Sequence, residues 1–230
     1  MRHLSFVLAP VLSLSLVACG GDDDGTVTPI DAPVQNIDAA PVTCTVSTNS
    51  FGDAGALTGQ AFFTASQSNP ALYRILALAP LEPTAPQDIL FVDLYTGYEP
   101  FGTEQAPTPV VPGTYPLTGA QIDFATCGTC VTLATNAEGQ AYDDDYMVTG
   151  GSLVISAVGD AVGETLTFSL SNLQLQHVTI NEQTGATTAV GDGCTTAISA
   201  ATFTATVAAF PSNAIEGLRV FRSIAARDLR

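Results

Sequence analysis

The 230-residue chain reads as all-β, an antiparallel β-sandwich or a related barrel. Short runs rich in Val, Ile, Thr, Phe and Tyr recur between residues 43 and 208, punctuated by Gly, Asn, Asp and Pro. Several alternate at the period of two that a half-buried strand requires: Leu166, Phe168 and Leu170 interleave with Thr165, Thr167 and Ser169. No helical pattern is interposed between these runs, which argues against a parallel α/β sheet.

Taken in order, strands are expected over residues 43–47, 58–66, 72–79, 89–95, 113–117, 121–126, 131–135, 146–149, 152–158, 164–169, 173–181 and 197–208. The 173–181 run is less regular than its neighbour. Leu173, Leu175 and His177 face one way and Val178 and Ile180 the other, as if the buried face changes midway. Gly59, Gly151 and Gly159 mark bends, bulges or turns. The β domain therefore occupies residues 44–210. Residues 211–230 admit two readings. Ser212 is a suitable N-cap, and Ile215, Leu218, Phe221, Ala225 and Leu229 follow helical spacing; Gly217 weakens that helix and favours an irregular tail. Arg219, Arg222, Arg227 and Arg230 make this tail basic.

The N-terminus has a different character. Met1-Arg2-His3 is followed by an apolar run from Leu4 to Val17 that is too short to span a bilayer, so it reads as the apolar region of a signal peptide. Leu16-Val17-Ala18-Cys19 closes the run, and Gly20-Gly21-Asp22-Asp23-Asp24 follows at once. This resembles the lipobox of bacterial lipoproteins. The resemblance implies cleavage before Cys19, lipid on the Cys19 thiol, and a mature protein anchored to a membrane and facing the periplasm or cell exterior. The alternative is a plain signal peptide with Cys19 as an ordinary residue. The cysteine count weighs against it, because five cysteines divide into one modified residue and two pairs. Two or three acyl chains make such attachment effectively permanent, at about 0.8 kcal/mol per buried methylene. Residues 19–43 carry Gly, Asp, Pro29, Pro33 and Pro41 without an aromatic residue and read as a tether. It reaches about 27 Å as a random coil and up to about 75 Å as extended polyproline.

Charge narrows the partners. The chain has no lysine, a formal net charge of −16, and no arginine between Arg74 and Arg219. Such a surface repels phosphate backbones, so nucleic acid is not expected as a partner. The acidity itself serves solubility.

The candidate chemistry is sparse. Cys127-Gly128-Thr129-Cys130 lacks the following helix that a thioredoxin-like redox site needs, and Gly128 suits a two-residue hairpin turn, so a disulfide at a hairpin tip is expected. The companion pair is Cys44–Cys194, joining the first expected strand to the start of the last. A zinc site is disfavoured, because Cys44, Cys194 and His177 supply no second local ligand pair and oxidation competes outside the cytoplasm. Asp143, Asp144 and Asp145 form a candidate calcium loop, but their consecutive spacing lacks the alternation that wraps a cation, and a solvated acidic loop is expected instead. His177 is the only histidine after the signal region and lies within a strand pattern with no local partner, so no catalytic dependence on it is expected. No Gly-x-Ser-x-Gly elbow occurs, and a Ser-x-x-Lys pair is impossible without lysine. Tyr95 and Tyr98 bracket Gly97 and are weak candidates for exposed rings that bind a glycan or an envelope protein; core or hairpin packing is expected ahead of that for each ring taken singly. No cofactor is implied. The leading expectation is a non-enzymatic envelope domain with a structural or binding role; the alternative is an extracytoplasmic hydrolase acting on envelope polymers.

Overall fold

A computed structural model describes residues 42–210 apart from residue 140. The expected signal peptide, Cys19, all of the tether before residue 42 and the basic tail lie outside the described residues. Twelve strands are present: β1 (Gly52–Leu57), β2 (Gln60–Ala65), β3 (Tyr73–Pro80), β4 (Gln87–Tyr95), β5 (Gly102–Thr103), β6 (Ala106–Pro107), β7 (Gly113–Pro116), β8 (Thr129–Ala137), β9 (Asp145–Ala157), β10 (Thr165–Ile180), β11 (Thr187–Ala189) and β12 (Thr195–Ala209). The helical element among the described residues is a single 3-10 turn, Gly119–Ile122, and no helix there is long and apolar enough to cross a membrane.

The fold is all-β, and its hydrogen-bonded path returns to its starting point. β2 pairs with β3, β3 with β4, β4 with β8, β8 with β9, β9 with β10, β10 with β12, and the end of β12 with β2. Six of these pairings are antiparallel and β12–β2 is parallel. Parity requires this: strands that alternate in direction around a ring of odd number must meet once running the same way. β1 lies upstream along the same edge of β12, also parallel. The expected antiparallel pairing thus holds for most of the sheet, and the two parallel pairings of β12, with β1 and with β2, make it a mixed one. β7 adds to the far half of β9, β11 adds to the end of β10, and β5–β6 forms a separate small hairpin.

Side-chain parity divides the β3–β4–β8 side into two buried faces. Ile75, Ala77 and Ala79 stand opposite Leu94, Val92 and Leu90, which in turn stand beside Thr129, Val131 and Leu133. Ala77, Ala79, Leu90 and Val92 line the same space as Phe168 and Phe203, whose rings stack with centroids 4.9 Å apart. The other face carries Arg74, Leu76, Phe91, Asp93, Tyr95, Cys130 and Thr132, all buried. The segment between β4 and β8 lies over it: Tyr98 meets Tyr95 edge to face at 6.1 Å, and Cys127 is joined to Cys130. Buried on both faces, β4 reads as the unbroken apolar run Ile89-Leu90-Phe91-Val92, whereas β10 alternates.

Several expected elements differ from those found. Residues 146–149 and 152–157 belong to one strand, β9, and residues 164–169 and 173–181 fall largely in one strand, β10. The alternation in β10 breaks because Asn172 adopts φ 53° and shifts the register against β9, moving the buried set from Leu166, Phe168 and Leu170 to Leu173 and Leu175. Residues 43–47 form no strand, although Ser47 N–H donates to Asp88 Oδ2 at 2.8 Å and Thr45 is held by side chains. Residues 121–126 form no strand: 121 and 122 end the 3-10 turn, and 123–126 form a turn closed by Cys127 N–H donating to Asp123 O at 3.0 Å. Gly59 is needed for close approach: a Cβ there would sit 2.0 Å from the Leu78 carbonyl oxygen.

Candidate functional site

The side chains that converge lie where β10, β9 and the start of β12 meet. His177 belongs to β10 and pairs in register with Tyr146 of β9, and the two rings stack at 5.4 Å with 19° between planes. His177 Nδ1 lies 2.6 Å from Asp192 Oδ2, and Nε2 lies 3.3 Å from Asp144 Oδ1. Asp144 comes from the turn before β9 and Asp192 from the loop between β11 and β12, so three separate elements supply the cluster. The histidine side chain is 14% exposed, Asp144 32% and Asp192 21%.

Each carboxylate is itself held. Asp192 Oδ1 accepts the Cys194 N–H at 2.9 Å. That bond and the contact with His177 hold the Asp192 carboxyl below its ordinary value. An ionised Asp192 only accepts, so the proton between it and His177 resides on Nδ1. Asp144 Oδ2 accepts from Thr45 Oγ1 at 2.8 Å, and Thr45 in turn accepts from Thr135 Oγ1 at 2.9 Å. Burial pushes the Tyr146 phenol above its usual value. Catalysis by a histidine base needs a nucleophile on the nitrogen remote from its orienting carboxylate. Here the remote nitrogen faces a second carboxylate. The arrangement clamps strand ends together, and its hydroxyls serve Asp144.

The disulfide Cys44–Cys194 adjoins this cluster, with Cα atoms 5.5 Å apart across 150 residues of sequence. Cys44 is exposed and Cys194 buried, and the Cys194 carbonyl accepts the His177 N–H at 3.0 Å. Potential ligand atoms of His177, Asp192 and Cys194 lie within 4.8 Å of one another. Spacing supplies no second local ligand pair, but folding brings in neighbours from distant loops, among them Asp192, which spacing gives no reason to choose; oxidation still holds Cys44 and Cys194 in a disulfide.

The second pair, Cys127–Cys130, also forms a disulfide, but it does not sit at a hairpin tip. The chain enters Cys127 from the Asp123 turn, and Cys130 already belongs to β8. Gly128 is dictated by packing: its N–H donates to Glu99 O at 2.9 Å, and a Cβ would lie 2.5 Å from that oxygen. Gln121 Oε1 accepts from Thr129 N–H and Thr129 Oγ1, both at 2.8 Å, and closes the turn over the pair. Both sulfurs are fully buried, which denies a substrate access.

Asp143, Asp144 and Asp145 diverge. Asp143 accepts from Asn136 Nδ2 at 2.9 Å, Asp145 from Tyr142 Oη at 3.1 Å, and Asp144 serves His177 and Thr45. They do not form a calcium cradle. Tyr95 is 3% exposed and packs in the core, so it is not the exposed binding ring of the weaker candidate reading; Tyr98 is half-buried, its hydroxyl donating to Glu104 at 3.4 Å. The large apolar side chains exposed among the described residues, Val42, Val111, Ile122, Val162 and Val190, are all aliphatic. Arg74 is the sole Arg or Lys among the described residues, and it is buried against Asp93 at 2.6 Å beneath the Tyr95 and Phe210 rings. The domain surface therefore presents carboxylates with no lysine or arginine between them.

Comparison of the chain with protein-family models, with curated proteins and with solved structures found no match.

Proposed function

We propose that the chain is a lipid-anchored extracytoplasmic protein of the bacterial cell envelope, with a β domain that has a structural or binding role and no catalytic function. The cysteine arithmetic carries this reading: Cys44 with Cys194 and Cys127 with Cys130 account for four, and the odd one, Cys19, stands in the lipobox-like Leu16-Val17-Ala18-Cys19. Two disulfides fit an oxidising compartment. Partners are the membrane through the anchor and an envelope protein or glycan; an anionic surface disfavours nucleic acid. Both His177 nitrogens engage carboxylates, which supports a clamp over a base.

The test is fractionation of Cys19→Ser. The variant is expected to leave the membrane fraction with its domain folded, and retention through high-salt and carbonate washes would overturn the anchor. One observation favours a hydrolase as second reading, the 2.6 Å contact of Asp192 with His177, which is how a general base is oriented. If the purified protein cleaves an envelope polymer and His177→Gln loses several orders of magnitude with folding intact, the hydrolase replaces the non-enzymatic reading.

A further inference from the structure

The geometry points to a disulfide-gated zinc site in which Cys44, Cys194, His177 Nδ1 and Asp192 form the ligand set once the Cys44–Cys194 bond is reduced. In the oxidised protein the two sulfurs bind each other and the site is closed. Reduction by a dithiol cleaves the S–S bond: the dithiol is oxidised to its own disulfide and its two protons pass to Cys44 and Cys194. Zinc then replaces those two thiol protons, which are released, and both cysteines bind as thiolates; the proton on His177 Nδ1 passes to Nε2, or is released where Nε2 already carries one, so that Nδ1 offers its lone pair to the metal.

Four observations support the assignment. The ligand atoms of His177, Asp192 and Cys194 already lie within 4.8 Å of one another, and Cys44 is bonded to Cys194. Two thiolates, one imidazole and one carboxylate are a set that tetrahedral zinc accepts. The outer partners are those a zinc histidine requires: with Nδ1 on the metal, the Nε2 proton points to Asp144, which is anchored by Thr45, while Asp192 is fixed through the Cys194 N–H. Finally, access is selective. Cys44 is exposed, so a reductant can reach its sulfur, whereas Cys127 and Cys130 are both fully buried. The required movement is small. Tetrahedral zinc with bonds of about 2.3 Å to sulfur and about 2.0 Å to nitrogen or oxygen parts the sulfurs to roughly 3.8 Å and Nδ1 from the carboxylate to roughly 3.3 Å.

The experiment uses the full chain, reduced with dithiothreitol, desalted without oxygen and titrated with Co²⁺ as the spectroscopic probe, followed by Zn²⁺ competition. One Co²⁺ per chain is expected, with the visible bands of a tetrahedral site and a thiolate charge-transfer band, displaced by Zn²⁺; the unreduced chain binds none. Zinc is expected to shield Cys44 and Cys194 from alkylation, read by peptide mapping. Asp144→Asn is expected to weaken binding about 10–100-fold while preserving the spectrum, and His177→Ala to abolish the tetrahedral bands. The proposal is overturned if the reduced chain binds no metal, if His177→Ala binds as tightly as the parent, or if the shielded thiols are Cys127 and Cys130. Should reduction unfold the domain, zinc must restore its β circular dichroism; failure to do so equally overturns the site.

Discussion

The β3–β4–β8 side of the ring is buried on both faces, whereas the β10–β12 side is buried on one. On the first, the chain between β4 and β8 adds a second apolar layer, and even the one arginine of the described domain is drawn inside it. On the second, Thr165, Thr167 and Ser169 stand directly across from Thr206, Thr204 and Thr202, partly or fully open to solvent. The difference teaches that the segment 96–128, with its short strands β5–β7 and the 3-10 turn, is a structural layer in its own right, stapled to β8 by Cys127–Cys130 and tied by Gln121 to Thr129 and Glu99. A charge is tolerated under that layer because it has a partner and is screened from competing water.

Three measurements sharpen or break the contrast. The largest effect is expected at Asp93→Ala, which leaves Arg74 buried without its carboxylate and should cost about 3–5 kcal/mol in denaturant unfolding. A loss under 1 kcal/mol would mean that the outer layer admits water. A smaller effect is expected at the rim of the singly covered side, at Asp192. Its carboxyl lies below the ordinary 3.8 in the folded protein, so its ionised form stabilises the fold above that value. As pH falls below about 4 the unfolded chain takes up the proton first, and stability declines until the folded carboxyl is protonated too. Asp192→Asn should flatten that part of the acid-unfolding curve; an unchanged slope would show that Asp192 is not engaged in solution. The smallest effect belongs to the exposed ladder, where Thr204→Val should change stability by no more than about 0.5 kcal/mol. A loss above 1 kcal/mol would reveal a covering that this face does not show.

The same contrast explains what could be read from the chain. Alternation in 164–169 identified a half-buried strand because one of its faces is wet, and the apolar run at 89–92 identified β4 because it is buried throughout. The break at Asn172 makes one strand look like two, since a single positive φ moves the buried set from Leu166, Phe168 and Leu170 to Leu173 and Leu175. β1 escaped notice because Gly52-Asp53-Ala54-Gly55-Ala56 has turn composition and earns its strand geometry only by pairing with β12, nearly 150 residues away. Residues 121–126 have strand-like composition in Ile122, Phe124 and Thr126, but the Asp123 side chain accepts the Ala125 N–H and holds a turn. The cysteine pairs were legible by elimination and by position. The partners of His177 were not, because Asp144 and Asp192 come from loops whose convergence depends on the register of β10 against β9 and β12.

The parallel seam between β12 and β2 also sets an order of assembly. A ribosome delivers β1 and β2 early and β12 late, yet β2 can complete its pairing, and Cys44 can meet Cys194, only after β12 exists. Until then Phe62 and Phe63 sit on an open edge, an invitation to pair with another chain. Folding should thus be slow for the protein's size and dominated by a late long-range closure. Truncation before residue 195 should leave an aggregating intermediate, with β1 and β2 waiting for a partner that never arrives.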